Sequence, residues 1–236
     1  MSSILVGEDI TVRFGGLYAL TDVNIAVNEH ETTALIGANG AGKTTLVNVL
    51  SGLAAPTHGR VLLRGSSPRR WGLGAATRAG VVRTFQANRV FADRTVSENL
   101  MVGKLNARED VDAGEVLDVM GLADRSDVMA KELSFGEMRR LGVALALSTA
   151  PDVLLLDEPG AGLTGEDLNM LAESIATIRE QGKAVLVIDH NMGFVMSIAD
   201  RVVALDGGRV IAEGAPRDVQ NDPRVRASYL GVRHDA

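Results

Sequence analysis

Gly37-Ala38-Asn39-Gly40-Ala41-Gly42-Lys43-Thr44 fits the pattern G-x-x-x-x-G-K-[ST] of a phosphate-binding loop. Before it runs the apolar stretch Thr33–Ile36 and after it Thr45–Leu50, so strand, glycine-rich turn and helix come in the required order. Glycines let backbone N–H groups crowd around phosphate, and the helix N-terminus adds partial positive charge. The pattern predicts that Lys43 reaches the β- and γ-phosphates and that Thr44 gives its hydroxyl to Mg²⁺. Gly37, Asn39, Gly40, Ala41, Gly42 and Thr45 complete the cradle. Far along the chain, Val153-Leu154-Leu155-Leu156-Asp157-Glu158 reads as a buried strand ending in two carboxylates, where metal and attacking water are expected. The two segments need each other chemically. Together they predict a chain that binds and hydrolyses a nucleoside triphosphate.

The bulk properties narrow the setting. A chain of 236 residues buries a full core, and a net charge of −6 argues against a broad nucleic-acid surface. Arg69-Arg70 and Arg139-Arg140 read as solvated basic faces. With no cysteine, disulfide and thiol chemistry are excluded. The start has no basic region followed by an apolar stretch, so no signal peptide is expected. Apolar runs such as Ala184–Ile188 are far shorter than the roughly 20 residues that span a bilayer.

Around the phosphate loop the pattern is α/β. Ile10–Phe14 and Val23–Val27 alternate as half-buried antiparallel strands, and a turn at Pro56–Gly59 leads to a strand Arg60–Arg64. After strand Val81–Thr84 the chain turns mostly helical. Thr95-x-x-Glu98 is a capping-box signature, Asp112–Met120 carries Val116, Leu117 and Met120 on one face, and Leu133–Glu137 opens the amphipathic stretch Met138–Leu147. Beyond Pro151 strands and helices alternate again: strand Val153–Asp157, helix Glu166–Glu180, strand Ala184–Asp189, helix Met192–Ala199. Strands Arg201–Leu205 and Arg209–Ile211 follow, and a polar helical tail runs Pro216–Leu230.

Nearly the whole length resembles the ATP-binding subunit of an ABC transporter. Besides the loop and the Asp157-Glu158 strand, the resemblance rests on Phe14 before Gly15-Gly16, Gln86 in Arg83-Thr84-Phe85-Gln86, Leu133-Ser134-Phe135-Gly136-Glu137, and His190 after Val187-Ile188-Asp189. It implies a single domain over 1–236: a P-loop NTPase core with a RecA-like mixed sheet and an antiparallel β subdomain, about 1–85 and 150–236, and an inserted helical subdomain, 86–149. It also implies roles. Phe14 stacks on adenine, Gln86 joins Thr44 and Asp157 at Mg²⁺, Glu158 is the general base, and His190 contacts the γ-phosphate. Ser134, Gly136 and Glu137 belong to the signature that meets the γ-phosphate held by an opposite subunit. Ser134-x-x-Glu137 is equally a capping box, and both readings are compatible. The pattern departs from the family at Phe135 for glycine, Glu137 for glutamine, Ala161-Gly162-Leu163-Thr164 without the interface aspartate, and Asn191 for aspartate. Phe135 is expected to narrow the approach of backbone to phosphate.

The resemblance implies ATP and Mg²⁺, a homodimer or a heterodimer with a paralogous ATPase, separate integral-membrane permease chains, an indirect substrate-binding protein, and a cytoplasmic position on the inner face of the membrane. Phe14-Gly15-Gly16-Leu17, Ile211–Gly214 and the ending Asp222–Gly231 resemble importers of branched-chain amino acids, a pattern shared with urea and amide importers. A lipopolysaccharide-exporter ATPase is the nearest alternative. A soluble ABC ATPase acting on ribosomes or DNA is a further class, though neither a second cassette nor a long coiled-coil insertion is present. A GTPase switch would carry Asn-Lys-x-Asp, which is absent.

Overall fold

The computed structural model describes residues 2–84, 90–105 and 107–230. Strands β1 (Ser3–Phe14) and β2 (Leu17–Asn28) pair antiparallel around Gly15-Gly16, with Phe14 opposite Leu17. Both are longer than the alternation predicted, because register shifts along the pair break the strict period of two. Then come β3 (Thr32–Gly37), α1 (Lys43–Leu50) and β4 (His58–Leu63). Strand β4 begins inside the expected turn and pairs with β1, giving a three-stranded sheet in the order β2-β1-β4. The short α2 (Leu73–Arg78) was not predicted; it is barely a turn and a half, too short to display periodicity. Next follow β5 (Val81–Arg83), α3 (Val96–Lys104), α4 (Ala113–Val119) and α5 (Phe135–Leu147).

The remaining elements are β6 (Val153–Asp157), α6 (Gly165–Glu180), β7 (Ala184–Ile188), α7 (Met192–Ile198), β8 (Arg201–Asp206), β9 (Arg209–Gly214), α8 (Pro216–Asn221) and α9 (Pro223–Leu230). The tail is two helices rather than one. Pro223 has no N–H to continue α8, and the Asp222 before it is extended.

A six-stranded sheet in the order β5-β6-β7-β3-β8-β9 forms the centre, parallel except for the β8–β9 pair. Its inner strands are buried on both faces, which is why they read as unbroken apolar runs. Leu154 and Leu156 of β6, Val185 and Val187 of β7, and Ala34 and Ile36 of β3 face the helices α3 to α7. Leu155, Leu186 and Leu35 face α1 and the three-stranded sheet. Each fully buried Leu or Ile contributes about 1.5–3 kcal/mol by leaving water. Strands β6, β7 and β3 lie side by side and parallel, so their C-terminal ends bring Glu158, His190 and the phosphate loop to one edge. Ligands of open α/β sheets bind at that edge.

Candidate nucleotide-hydrolysis site

Turning directly from β3 into α1 forces the loop into backbone conformations that only glycine adopts easily. Gly42, the residue before α1, has φ 104°, and a Cβ there would lie 2.7 Å from the Ala19 carbonyl oxygen and 2.7 Å from Leu20 Cδ2. Strand β2 is pressed against the loop at this point. The β8–β9 turn locks the arrangement: Gly208 donates to the Ala41 carbonyl at 3.1 Å and accepts from Thr21 N–H at 2.9 Å.

Asn39, Gly40, Ala41, Gly42, Lys43, Thr44, Thr45, Glu158 and His190 line one cleft of about 340 Å³, with Ala19 and Ile188. Lys43 is buried and donates to the carbonyls of Gly37 (2.7 Å) and Ala38 (3.0 Å). Burial pulls its pKa below the usual lysine value, and the negative charge of Glu158 opposes that shift. Across the cleft, His190 Nε2 lies 2.6 Å from Glu158 Oε1. Glu158 sits at φ 50°, a left-handed conformation uncommon for a residue with a side chain. Its N–H is held by the Ile188 carbonyl at 2.8 Å. Such strain persists only where the surroundings over-determine it, and it gathers at active sites.

The metal expectation fits in part. Among the described residues no three His, Cys, Asp or Glu side chains cluster as a metal cage. Mg²⁺ at triphosphate sites takes few protein ligands beside phosphate oxygens and water, and Thr44 in the cleft suits that donor set. Asp157 stands at the end of β6 just behind it, but Oδ2 is engaged by buried Arg83 at 2.6 Å. Arg83 was read merely as the neighbour of Gln86; a cation at the end of the edge strand, beside a strand ending in two acids, was the available signal. Gln86 lies outside the described residues.

Phe14 is 61% exposed at the hairpin tip, with Leu17 and Tyr18 also exposed beside it. It is not among the cleft-lining residues.

Ser134, Gly136 and Glu137 are not brought to this cleft. Ser134 and Glu137 line a separate depression with Arg125, Arg140 and Asp167. The capping box is complete: Glu137 N–H donates to Ser134 Oγ at 3.2 Å, and Ser134 N–H donates to Glu137 Oε2 at 2.8 Å. Arg125 binds Glu137 at 2.7 Å, and that hydrogen bond is the main reason the Glu137 carboxyl titrates below the usual range. A Cβ on Gly136 would lie 2.1–2.4 Å from the Asp167 carboxylate and would displace the group that pairs with Arg140. The expectation that Arg139-Arg140 is a solvated face fails. Arg140 is buried and donates to Asp167 at 2.9 Å, while Arg139 lies over the Phe135 ring at 5.1 Å. The Phe135 ring also rests on Gly162, where a Cβ would be 2.9 Å from it.

Asn191 takes a structural role, its Oδ1 capping α7 by accepting from Phe194 N–H at 3.1 Å. Among the described residues no helix is long and apolar enough to cross a membrane.

The family model described as ABC transporter matches residues 20–161, and one described as branched-chain amino acid ATP-binding cassette transporter matches 209–235. The chain is 38% identical to the high-affinity branched-chain amino acid transport ATP-binding protein LivG of Escherichia coli K12, covering 97% of this chain and 98% of that protein. It is 32% identical to the lipopolysaccharide export system ATP-binding protein LptB of Haemophilus influenzae, over 97% and 98% of the two chains. Among solved structures, the ADP conformation of the ABC transporter cassette MJ1267 superposes with a TM-score of 0.89 at 30% identity, covering 98% of this chain and all of that one. With the phosphate loop, the Glu158–His190 pair and the capped α5 in place, the chain belongs to the ABC transporter ATP-binding family as an ATP-hydrolysing cassette.

Proposed function

We propose that this chain couples ATP hydrolysis to import of branched-chain amino acids or related amides. The Glu158–His190 pair facing Lys43 across the phosphate-loop cleft is the observation that carries the hydrolytic half. Phosphoryl transfer needs positioning and charge neutralisation more than covalent help. Lys43 and the loop amides hold the triphosphate, Phe14 supports adenine, and Thr44, Gln86 and Asp157 would hold the Mg²⁺, which would neutralise phosphate charge. Glu158 accepts the proton of the attacking water, a contribution of about 10²–10⁴-fold, and His190 orients the γ-phosphate side. The division into a core (1–85, 150–236) and a helical subdomain (86–149) is part of this reading.

Ser134 and Gly136 lie in a depression apart from the cleft that holds Lys43. A second subunit, identical or paralogous, supplies them to the γ-phosphate, and two ATP molecules are sandwiched. Integral-membrane permease chains dock on the side of α3, where Met101 and Leu105 leave apolar surface exposed. That positions the cassette on the inner face of the membrane, with a substrate-binding protein acting from beyond it. Greater identity to LivG than to LptB and the match over 209–235 favour the importer over the exporter.

Reconstitution with the cognate permease tests the reading. A binding protein loaded with an aliphatic amino acid should stimulate hydrolysis only when permease is present. Glu158→Gln should keep ATP binding, lose at least about 10²-fold in turnover, and accumulate an ATP-dependent dimer on gel filtration. Stimulation by lipopolysaccharide would move the assignment to export, and stimulation by ribosomes or DNA without permease would end the transporter reading.

A further inference from the structure

Asp189 stands between β7 and His190 and is only 5% exposed. Ile188 and His190 line the cleft, whereas the Asp189 side chain turns away from it. Its two oxygens go to different loops. Oδ2 accepts from Gly160 N–H at 2.8 Å, two residues beyond Glu158. Oδ1 accepts from Asn191 N–H at 2.9 Å, one residue beyond His190. A single buried carboxylate therefore ties the backbones of the two loops from which the Glu158–His190 pair projects.

We propose that Asp189 is a positioning residue for hydrolysis, holding the general base and its histidine in register. The inference rests on the reading of Glu158 as base. Three features of the geometry converge on it. The Gly160 backbone comes so close that a Cβ there would lie 3.0 Å from Asp189 Oδ2, 3.0 Å from Leu168 and 3.2 Å from Phe194. A side chain there would have to push on the acid, Leu168 and Phe194 at once. Glu158 itself, at φ 50°, needs external restraint to stay in that conformation. Its own backbone bonds run from its N–H to the Ile188 carbonyl at the end of β7, and from Ala161 N–H to its carbonyl within the same turn; neither reaches the α7 side of His190. Asp189 does reach it. Bonds from N–H groups to a buried carboxylate are the strong, charge-assisted kind, and losing the acceptor orphans both donors at once.

The test uses Asp189→Asn and Asp189→Ala in the full chain, measuring kcat, KM, ATP affinity and melting temperature. A catalytic group displaced by about 1 Å loses about 10²-fold. Asp189→Ala should therefore lower kcat by about 10²-fold while ATP affinity stays within about twofold, because the phosphate loop is untouched. Asp189→Asn keeps one acceptor oxygen and the side chain's shape, so it should fold and lose about 10-fold in kcat; where the alanine variant does not fold, this variant decides. In the Glu158→Gln background, single-turnover hydrolysis should fall no further on removing Asp189. Equal losses in both backgrounds, or a lower melting temperature with wild-type kcat, would overturn the proposal. Wild-type turnover in Glu158→Gln alone would instead overturn the assignment of the base.

Discussion

The phosphate-loop cleft and the N-terminus of α5 are built on different principles. The phosphate loop, Glu158 and His190 hang from the ends of three adjacent parallel strands, buried on both faces, and every group converges on one cleft. The N-terminus of α5 is assembled instead from side-chain bonds: Ser134 with Glu137, Glu137 with Arg125, Arg140 with Asp167, and Phe135 on Gly162. The strand-end groups share one cleft, while the capped end of α5 lies in a separate depression. A site scaffolded by backbone tolerates little variation, while one assembled from side chains can exchange partners and still present the same helix end.

The sharpest way to break this comparison is at the lysine. Lys43→Ala should weaken ATP binding and cut turnover by at least about 10²–10³-fold, the scale for losing one preorganised stabiliser of transition-state charge. Steady-state hydrolysis checks it, and unchanged activity would remove the strand-end site from the mechanism. The fold should survive, because Lys43's hydrogen bonds are to loop carbonyls rather than to the core.

A cap lesion should act differently, on stability first. Ser134→Ala removes one acceptor of the capping box and should cost about 1 kcal/mol in denaturant unfolding. Glu137 adds a pH signature. Its folded pKa is lowered, chiefly by the Arg125 hydrogen bond, so the stabilisation is present above the ordinary glutamate pKa of about 4.3. It is lost as pH falls through the lowered folded value. The stability gap between wild type and Glu137→Gln should therefore be constant from about pH 5 to 7 and close below about pH 4. A gap that widens in acid would contradict the Arg125–Glu137 assignment.

How much of this was legible in the sequence follows the same division. Gly37–Thr44 and the Asp157-Glu158 strand end stood out through chain-local spacing and unmistakable apolar runs, whereas His190 stood out only through the family resemblance. The helix at Thr95 and the one at Ser134 announced themselves through capping boxes. Asp189, Arg83 and Arg140 carried no such local pattern. Asp189 works across 29 residues to Gly160, and Arg83 works across 74 to Asp157. Arg140 was misread for the same reason: its charge is cancelled by Asp167, 27 residues on. The break at Pro223 was visible in principle, since proline after an extended residue ends a helix, but a mostly polar tail with no clear periodicity hid it.

The smallest expected effect is the most specific to this chain. The Phe135 ring lies on Gly162, with Arg139 over it. Two of the departures from the family pattern, the phenylalanine and the Ala161–Thr164 segment, therefore touch each other. Gly162 is at φ 80°, so Gly162→Ala meets both backbone strain of about 1–2 kcal/mol and the ring at 2.9 Å. If the ring contact matters, removing it first should relieve part of that cost. Phe135→Ala alone should change stability little, because the ring is half exposed. In the double variant the penalty of Gly162→Ala should shrink by about 0.5 kcal/mol or more, the lower range for residues in direct contact. A cycle of denaturant midpoints measures the coupling. Strict additivity would mean that the ring merely lies over the loop, leaving the helix end and the Glu158 turn mechanically independent within one subunit.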